Sequence, residues 1–335
     1  MTVRIGVIGA GMIGQDHIRR LTTVLTGTSV VAVTDVDAQK AAEVAAALPS
    51  ATVHATGQDV VADENVDAVV VTSWGPTHEE YVLASIAAGK PVFCEKPLAE
   101  SAEACVRVLE AEVAAGRRLV QVGYMRRYDP QYRALKDVVD SGAIGAPLIV
   151  HNAHRNPSVP GYYRKESAIT DTAVHEIDTM RWLLGEEIVA TTVLTPRRST
   201  NGGDLQDPLI VLFEMESGAI AEVEVSVNIR YGYDIRSEVV GESGTAALAD
   251  ASPVVLRNQG TVTAKVPADW RERFLRAYDI ELQEWADGVA AGREPTGPSA
   301  WDGYAAAAVA EAALEAMHSG TKTQVKLVDQ PEFYR

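Results

Sequence analysis

The stretch that decides the fold is Ile5-Gly6-Val7-Ile8-Gly9-Ala10-Gly11-Met12-Ile13-Gly14. Its apolar start predicts a buried strand, and residues 16–21 continue with the pattern of a helix. Between them, the G-x-G-x-x-G spacing suits a phosphate-binding turn. The first glycine permits the tight turn, the second lets the backbone approach a pyrophosphate, and the third allows close helix packing. Free N–H groups at the start of the helix favour the same anion. We therefore predict that a dinucleotide contacts this loop, through Gly9, Gly11, Met12, Ile13 and Gly14.

The next predicted strand, residues 30–34, ends at Asp35, about twenty residues after the glycine loop. A carboxylate at this position accepts hydrogen bonds from both ribose hydroxyls of adenosine and repels a 2′-phosphate. No arginine lies nearby in the sequence to offset that repulsion. The pattern therefore predicts NAD rather than NADP as the cofactor. The alternative is that Asp35 is the N-cap of the following helix.

Short apolar strands and helices alternate through the first third of the chain. Strands are predicted at 68–72, 91–94 and 119–122, and helices at 38–48, 77–88 and 101–115. This alternation is typical of a parallel, doubly wound sheet with helices on both faces. We predict an N-terminal Rossmann domain over residues 1–122.

Residues that directly follow the strands are candidate cofactor contacts, because ligands of such sheets bind outside the carboxyl ends of the strands. After the strand at 68–72 come Ser73, Trp74 and His78, where Trp74 either packs beside the cofactor or fills a hydrophobic gap. After the strand at 91–94 come Glu95 and Lys96, followed by a proline that fixes φ. Lys96 is predicted to bring a cation to the cleft. The alternative for Glu95 and Lys96 is a solvated charged turn.

Composition and charge narrow the class of protein. The chain has 335 residues, 47% hydrophobic and 23% charged, which is enough for about two globular domains. A formal net charge of −16 argues against nucleic acid or an anionic membrane as a partner. The two cysteines offer neither a disulfide framework nor a CxxC metal site. The sequence opens directly on a predicted strand and has no long apolar run, so we expect no signal peptide, no membrane span and a cytoplasmic location.

The pattern changes after residue 122, and we place the second domain at 123–335. Residues 219–229 alternate strictly, with apolar residues at odd positions, which predicts a strand with one buried face. Further strands are predicted at 147–154, 188–194, 209–215, 234–240, 245–248, 253–257 and 261–266, and helices at 131–141, 270–291 and 300–317. The prediction is an α+β domain with a large, mainly antiparallel open sheet. The other face of this sheet must be covered or unusually polar, and the simplest cover is another subunit.

A predicted helix at 170–185 carries the candidate catalytic side chains. Asp171, His175 and Asp178 share one side of it, opposite an apolar side. A solvated face is the alternative. His154 and Asn156, at the end of a predicted strand, add polar groups that a sugar-sized ligand needs. A metal site built from His154, Asp171 and His175 is a further alternative, but we predict no metal.

Two adjacent arginines, Arg126 and Arg127, lie just after the predicted domain boundary. One is expected to form a salt bridge or lie at the surface. The other is expected to hydrogen-bond a hydroxylated ligand.

Oxidation of a secondary alcohol by NAD⁺ needs a base, a group that polarises the oxygen and a well-placed hydride. His175 is the natural base, since an unperturbed histidine titrates near operating pH. Asp171, one turn earlier, can orient the imidazole and stabilise the imidazolium. Lys96 can stabilise alkoxide character on the reacting oxygen, and the sequence leaves open whether it also relays the proton.

The glycine loop, Glu95-Lys96-Pro97 and Asp171-x-x-x-His175, in this order, resemble the Gfo/Idh/MocA oxidoreductases. Longer strings, such as Gly123-Tyr124-Met125-Arg126-Arg127-Tyr128-Asp129 and Ala153-His154-Arg155-Asn156-Pro157, are similar to the inositol dehydrogenases of bacteria within that family. The resemblance covers nearly the whole chain. It implies that Lys96, Asp171 and His175 are catalytic, that the enzyme is a homotetramer, and that four residues face the substrate: Arg126, His154, Asn156 and Tyr233.

The resemblance also implies a substrate, myo-inositol, oxidised at C2 to the 2-keto product in inositol catabolism. Alternatives are another inositol isomer, a sugar such as glucose, the NAD-dependent glycoside hydrolases of the same fold, and a catalytically silent NAD-binding regulator.

Overall fold

A computed structural model describes residues 2–250, 252 and 254–335, and its contacts divide the chain into two compact units. The first unit contains the residues up to Tyr124, with Tyr278–Ala307 and Leu327–Arg335. The second contains Met125–Ala277 and Ala308–Lys326. The division into functional domains at 122/123 stays a prediction.

The first unit is built on a six-stranded sheet in which every neighbouring pair of strands is parallel, in the order β3-β2-β1-β4-β5-β6. Its strands and helices are, in chain order, β1 (Val3–Ile8), α1 (Met12–Arg19), β2 (Thr28–Thr34), α2 (Ala38–Ala46), β3 (Thr52–Val53), α3 (Gly57–Ala62), β4 (Ala68–Val71), α4 (His78–Ala87), β5 (Val92–Glu95), α5 (Ala102–Ala115) and β6 (Val120–Gly123). The predicted doubly wound parallel sheet is confirmed. The sequence pattern did not predict β3, because both of its residues are exposed and carry no alternation.

The second unit is built on a seven-stranded sheet in the order β12-β11-β7-β10-β9-β8-β15. The remaining elements are α6 (Pro130–Asp140), β7 (Pro147–Arg155), α7 (Val174–Leu184), β8 (Ile188–Leu194), β9 (Leu209–Met215), β10 (Ile220–Ser226), β11 (Asp234–Gly241), β12 (Thr245–Ala247), β13 (Val255–Asn258), β14 (Thr261–Ala264), α8 (Trp270–Ala290), α9 (Ala300–Ser319) and β15 (Thr323–Gln324). Neighbouring strands are antiparallel except β7 and β10, which run parallel. The predicted large, mainly antiparallel sheet is confirmed.

Two helices are divided between the two units, and one hairpin forms a separate two-stranded sheet. The residues of α8 from Tyr278 onward and those of α9 up to Ala307 belong to the first unit. Among the described residues, strands β13 and β14 pair only with each other. The strand predicted at 253–257 is β13, and Pro253 lies outside the described residues.

Strand β10 has the predicted alternation of buried and open residues. Ala221, Val223 and Val225 are buried, while Glu222 and Glu224 are partly exposed on the other face. Since successive side chains of a strand point to opposite faces, one face of the sheet is packed and the other carries charge. Ser226, predicted on the open face, is buried.

The core of the first unit lies between its parallel sheet and α8. Val7, Val70 and Phe93 from the central strands pack with Leu282 and Trp285 of that helix. Strands buried on both faces explain the continuous apolar runs in the sequence. In the part of the chain that the structure describes, no helix is long and apolar enough to cross a membrane.

Candidate functional site

The glycine loop between β1 and α1 has the geometry that its three glycines predict. Gly9 has φ of 101°, and a Cβ on it would lie 2.5 Å from the Ser73 nitrogen. A Cβ on Gly14 would lie 2.1 Å from the Gly9 carbonyl oxygen. Gly11 is the N-cap of α1, and a Cβ on it would meet no described atom within 4 Å. The loop therefore packs closely at its two ends and leaves its middle glycine open to a ligand, as a dinucleotide requires.

Three apolar side chains predicted to contact the cofactor differ in exposure. Met12, the first residue of α1, is 64% exposed, and Ile13 is half-buried. Trp74 is 78% exposed. The alternative that Trp74 fills a hydrophobic gap is therefore wrong, and its indole is free to pack against a bound molecule.

Asp35 lies at the end of β2 and binds the glycine loop directly. Its carboxylate accepts hydrogen bonds from the backbone N–H groups of Ala10, at 2.7 Å, and Asp37, at 2.9 Å. The N-cap of α2 is Asp37, whose carboxylate accepts from two backbone N–H groups, so the N-cap alternative for Asp35 is wrong. Lys40 Nζ lies 3.5 Å from the Asp35 carboxylate. This lysine was not predicted from the sequence, where only an arginine was considered as the offsetting cation.

His78 ties the loop after β4 to the turn after β5. Its ring is buried, with nitrogens 2.9 Å from the carbonyl oxygen of Ser73 and 2.6 Å from that of Pro97. The Ser73 hydroxyl lies 2.7 Å from that of Thr77. These contacts favour a positioning role for His78 behind the residues that face the cofactor.

Glu95 ends β5 and lies beneath Lys96. Its buried carboxylate is 2.7 Å from Nε2 of His17, a fully buried residue of α1. The other carboxylate oxygen accepts from the backbone N–H of Lys96 at 3.3 Å. The Lys96–Pro97 peptide bond is cis, and Lys96 is half-buried. His17, which no sequence pattern predicted, therefore links the helix after the glycine loop to the turn that carries Lys96.

In the second unit, two of the predicted substrate residues meet at a buried glutamate. Glu176, in the first turn of α7, accepts a hydrogen bond from Nη1 of Arg126. Its carboxylate lies 3.0 Å from Nδ1 of His154, at the end of β7. Arg126 Nη2 is 3.1 Å from the same Nδ1. All three side chains are nearly inaccessible. Glu176 was not predicted from the sequence, where its one local signal is its place beside the candidate base His175.

The charges in this cluster support one another. Burial acts against ionisation of Glu176, but the attraction of Arg126 and His154 outweighs it and lowers the pKa of that carboxyl. Burial likewise opposes the charge on Arg126, while Glu176 raises the pKa of the guanidinium. The cluster is therefore an ionised pair with a histidine on one side.

Tyr233 extends the cluster beyond His154. Its hydroxyl lies 3.4 Å from His154 Nε2, and its ring meets the imidazole at right angles with centroids 5.7 Å apart. Burial raises the pKa of Tyr233 above its ordinary value, so the phenol keeps its proton. The His175 ring lies beside His154, with centroids 6.3 Å apart.

Asn156, two residues after His154, has a side-chain oxygen that no described residue hydrogen-bonds. Its backbone N–H donates to the carbonyl of Ser226, and its own carbonyl accepts from Ile229. Its side-chain Oδ1 is buried without a hydrogen-bond partner among the described residues. Since buried polar atoms are nearly always paired, this oxygen favours a ligand contact.

The candidate catalytic helix is irregular at its start. Asp171 lies exposed in a π-helical turn, Ala168–Ala173, and His175 lies half-buried in the first turn of α7. Such turns are frequent at functional sites. Asp178 is fully buried and accepts from Nε of Arg127 at 3.0 Å, so the solvated-face interpretation is wrong for this residue.

Both arginines of the Arg126-Arg127 pair are thus engaged in ion pairs. The described residues include no group of three or more His, Cys, Asp or Glu side chains able to hold a metal ion.

Comparisons with known proteins cover the whole chain. Residues 3–124 match a family model described as "Oxidoreductase family, NAD-binding Rossmann fold", and residues 132–247 match one described as "GFO/IDH/MocA C-terminal domain". Inositol 2-dehydrogenase 3 of Saccharopolyspora erythraea is 58% identical, covering 100% of this chain and 98% of the relative. Inositol 2-dehydrogenase of Burkholderia lata is 55% identical over all of both chains.

Among solved structures, myo-inositol dehydrogenase from Lactobacillus casei in complex with NAD(H) and myo-inositol is similar over 100% of both chains. Its TM-score is 0.98 at 41% sequence identity.

Proposed function

The chain belongs to the Gfo/Idh/MocA oxidoreductase family, and we propose that it oxidises myo-inositol at C2 to 2-keto-myo-inositol. It is an NAD-dependent inositol dehydrogenase by its similarity to relatives along its full length. The observation that carries the choice of isomer is the L. casei structure with NAD(H) and myo-inositol, which matches this chain from end to end.

The first unit is an NAD-binding domain, and its residues fit that cofactor. The open Gly11 and the N–H groups at the start of α1 suit a diphosphate, and Asp35 suits the adenosine ribose. The nicotinamide of bound NAD⁺ accepts a hydride. The proposed contacts are Gly9, Gly11, Met12, Ile13, Gly14, Asp35, Ser73, Trp74, His78, Glu95 and Lys96. For His78 and Glu95 the contacts support an indirect role, since each binds the backbone that presents its neighbours.

The chain's own residues handle the proton. His175 is the proposed base and removes the proton of the reacting hydroxyl. Asp171, four residues earlier, is proposed to stabilise the imidazolium that forms. Lys96 is proposed to donate a hydrogen bond to the reacting oxygen and so stabilise the negative charge that develops on it.

The second unit supplies the groups proposed to recognise the substrate. Arg126, His154, Asn156 and Tyr233 offer several donors and acceptors in a small volume, and Asn156 Oδ1 has no described protein partner. A ring that carries a hydroxyl on every carbon satisfies such a site. Analogues that lack one hydroxyl leave a buried group unpaired, at about 1–3 kcal/mol each.

The test is to incubate the protein with NAD⁺ and each of myo-inositol, scyllo-inositol and glucose, while following NADH absorbance. We expect the highest kcat/KM with myo-inositol. With its axial C2 hydroxyl delivered to the base, myo-inositol turns the C2 hydrogen toward the nicotinamide, and scyllo-inositol turns it away. If the kcat/KM for scyllo-inositol or glucose exceeds that for myo-inositol tenfold, the choice of isomer is wrong. A glycoside hydrolase or a silent regulator would give no net NADH with any of them.

We also propose that the enzyme is a homotetramer that works in the cytoplasm, in inositol catabolism. The partly exposed charged face of the seven-stranded sheet supports assembly. Cys94 and Cys105, both buried and unbridged, fit a reducing compartment.

A further inference from the structure

We propose that His17 is a positioning residue for Lys96. It holds the carboxylate of Glu95, and that carboxylate holds the backbone N–H of Lys96. His17 lies in α1, outside both the G-x-G-x-x-G motif and the Glu95-Lys96-Pro97 motif. The inference rests on the proposed function in one respect, because it takes Lys96 as the group that binds the reacting oxygen.

The first support is the pair of contacts that Glu95 makes. Its Oε1 lies 2.7 Å from Nε2 of His17, and its Oε2 accepts from the Lys96 N–H at 3.3 Å. The side chain therefore folds back over the residue that follows it. Glu95 is only 6% exposed, so water offers its carboxylate little alternative pairing. Loss of the His17 contact would leave this buried carboxylate short of a partner, which favours its rotation away from Lys96.

The second support is the way the imidazole of His17 is held. The residue is fully buried, and its ring meets that of Phe93 edge to face, with centroids 5.9 Å apart. The Tyr278 ring lies 5.7 Å from it. Nδ1 is buried without a hydrogen-bond partner among the described residues. The aromatic contacts thus fix the ring in the core of the first unit, and its hydrogen bond to a described residue is the one to Glu95.

A third and independent support comes from β6. Gly123 pairs in register with Glu95, and a Cβ on it would lie 3.1 Å from Cδ of that glutamate and 3.2 Å from each carboxylate oxygen. The absence of a side chain at this position leaves room for the carboxylate. Any larger residue would press on the same group that His17 holds.

The position of the Lys96 backbone decides where its ammonium can reach. A cation stabilises a developing alkoxide only from hydrogen-bond distance, and a displacement of about 1 Å can cost about 100-fold in rate. The glycine loop and Asp35 still offer their contacts to the cofactor when Lys96 moves. We therefore expect the loss to fall on kcat and to leave the KM for NAD⁺ nearly unchanged.

The variant test compares His17→Leu with His17→Gln. The leucine removes the hydrogen bond, so kcat should fall by about ten- to a hundredfold, with the KM for NAD⁺ within about twofold of the wild type. The glutamine keeps an N–H donor on a side chain of similar reach and should restore kcat to within about threefold of the wild type. If His17→Leu keeps more than about half of wild-type kcat, or if His17→Gln is as slow as His17→Leu, the proposal is wrong.

A second measurement needs no turnover. Native-state hydrogen exchange, followed by mass spectrometry on the protein without substrate, should be faster over residues 94–99 in His17→Leu than in the wild type or in His17→Gln. This readout separates the inference from the proposed function. Absence of NADH with the wild-type protein would contradict the proposed function, whereas unchanged exchange over residues 94–99 in His17→Leu would contradict the inference.

The matched control is Ile18→Ala, at the next residue of the same helix. Ile18 is buried in the apolar core, so this change lowers the urea midpoint and leaves the His17–Glu95 hydrogen bond in place. Its kcat and its exchange over residues 94–99 should match the wild type. A loss of kcat as large as that of His17→Leu would mean that general weakening of α1 explains both, and would overturn the proposal.

If His17→Leu does not fold, Gly123→Ala decides. It crowds the Glu95 carboxylate and leaves His17 unchanged. We expect it to lower kcat at least about fivefold and to speed exchange over residues 94–99. Wild-type values of both would refute the positioning role of this contact.

Discussion

Asp35 is a single carboxylate placed to decide between two cofactors. It binds the glycine loop through the Ala10 N–H, and Lys40 lies 3.5 Å away. We predict that Asp35→Ser raises the kcat/KM ratio of NADP⁺ to NAD⁺ by about tenfold or more. Removal of a carboxylate that repels the 2′-phosphate is worth roughly 1.4 kcal/mol or more, and it leaves Lys40 as a cation beside that phosphate.

The control for this change is Asp37→Ser, which alters the neighbouring carboxylate that caps α2 and keeps a capping side chain. It should leave the cofactor ratio as in the wild type. The assignment of Asp35 is refuted by an unchanged ratio in Asp35→Ser.

His175 is the residue on which proton transfer should depend. We predict that His175→Ala lowers kcat by roughly 10²–10⁴-fold, with the KM for NAD⁺ nearly unchanged, because only the base is lost. The pH profile of kcat should lose its acidic limb. The exposed His318 in α9 offers a matched His→Ala control with normal turnover. If His175→Ala keeps more than about a tenth of wild-type kcat, the base lies elsewhere.

The site residues that the sequence could predict are those whose role depends on residues close to them in the chain. The glycine loop is one turn, so its spacing alone indicated where a ligand approaches, and the geometry of Gly9, Gly11 and Gly14 agrees. Glu176 and His17 could not be found in this way. Glu176 pairs with Arg126 across 50 positions, and His17 with Glu95 across 78. A buried ion pair of this kind gives no periodic signal, because each partner alone is typical of a surface residue.

At the level of elements, the sequence predicted strands and helices well where the apolar residues recur with a single period. β8 and β9 have the predicted ends, since turn residues flank alternating strands on both sides. The π-helical turn Ala168–Ala173 escaped prediction, because one added residue per turn shifts a helical pattern without removing it. The return of residues 278–307 and 327–335 to the first unit escaped it too, since that pairing is entirely non-local.

The C-terminal turn Glu332–Tyr334 belongs to the first unit, and a side-chain hydrogen bond joins it to α5. The Tyr334 hydroxyl donates to the buried carboxylate of Glu112 at 2.5 Å, and that carboxylate also accepts from the Val120 N–H at 2.7 Å. We predict that Tyr334→Phe lowers the free energy of unfolding by about 1–3 kcal/mol, because Glu112 is left short of a donor. The measurement is urea unfolding, with a lower midpoint and an unchanged m-value.

The pH dependence of this loss has a definite sign. Burial raises the pKa of Glu112, and the bond from Tyr334 opposes that rise. Without the bond the folded pKa climbs further above its unfolded value of about 4.3, so the added loss of stability grows as pH rises through the raised folded pKa of wild-type Glu112. Tyr334→Phe should therefore cost more stability at pH 7 than at pH 4. Tyr162→Phe, at a tyrosine that is 83% exposed, should cost almost nothing at either pH. Equal losses in the two variants would contradict the role given to Tyr334.

For the molecule as a whole, the open face of the seven-stranded sheet is the feature that calls for a partner. The face carries both signs of charge, with Arg155 paired to Glu224 and Asp234, around a concavity of about 360 Å³. Ile220 and Ile149, paired across β10 and β7, add partly exposed apolar area. A surface with both charges and an apolar patch can be self-complementary about a two-fold axis.

We therefore predict that the sheet face bearing Ile220, Glu222, Glu224, Ser226 and Asn228, or the opposite face of that sheet, is buried between subunits of a homotetramer. Light scattering should give about four times the chain mass of 35.8 kDa. Ile220→Glu places another negative charge beside Glu222 and Glu224 in a chain of net charge −16, so it should yield smaller species. Val113→Glu, on partly exposed α5 of the first unit, is the matched control and should leave the mass unchanged. A wild-type mass near that of one chain would refute the assembly, and a tetramer unaffected by Ile220→Glu would move the interface to the opposite face.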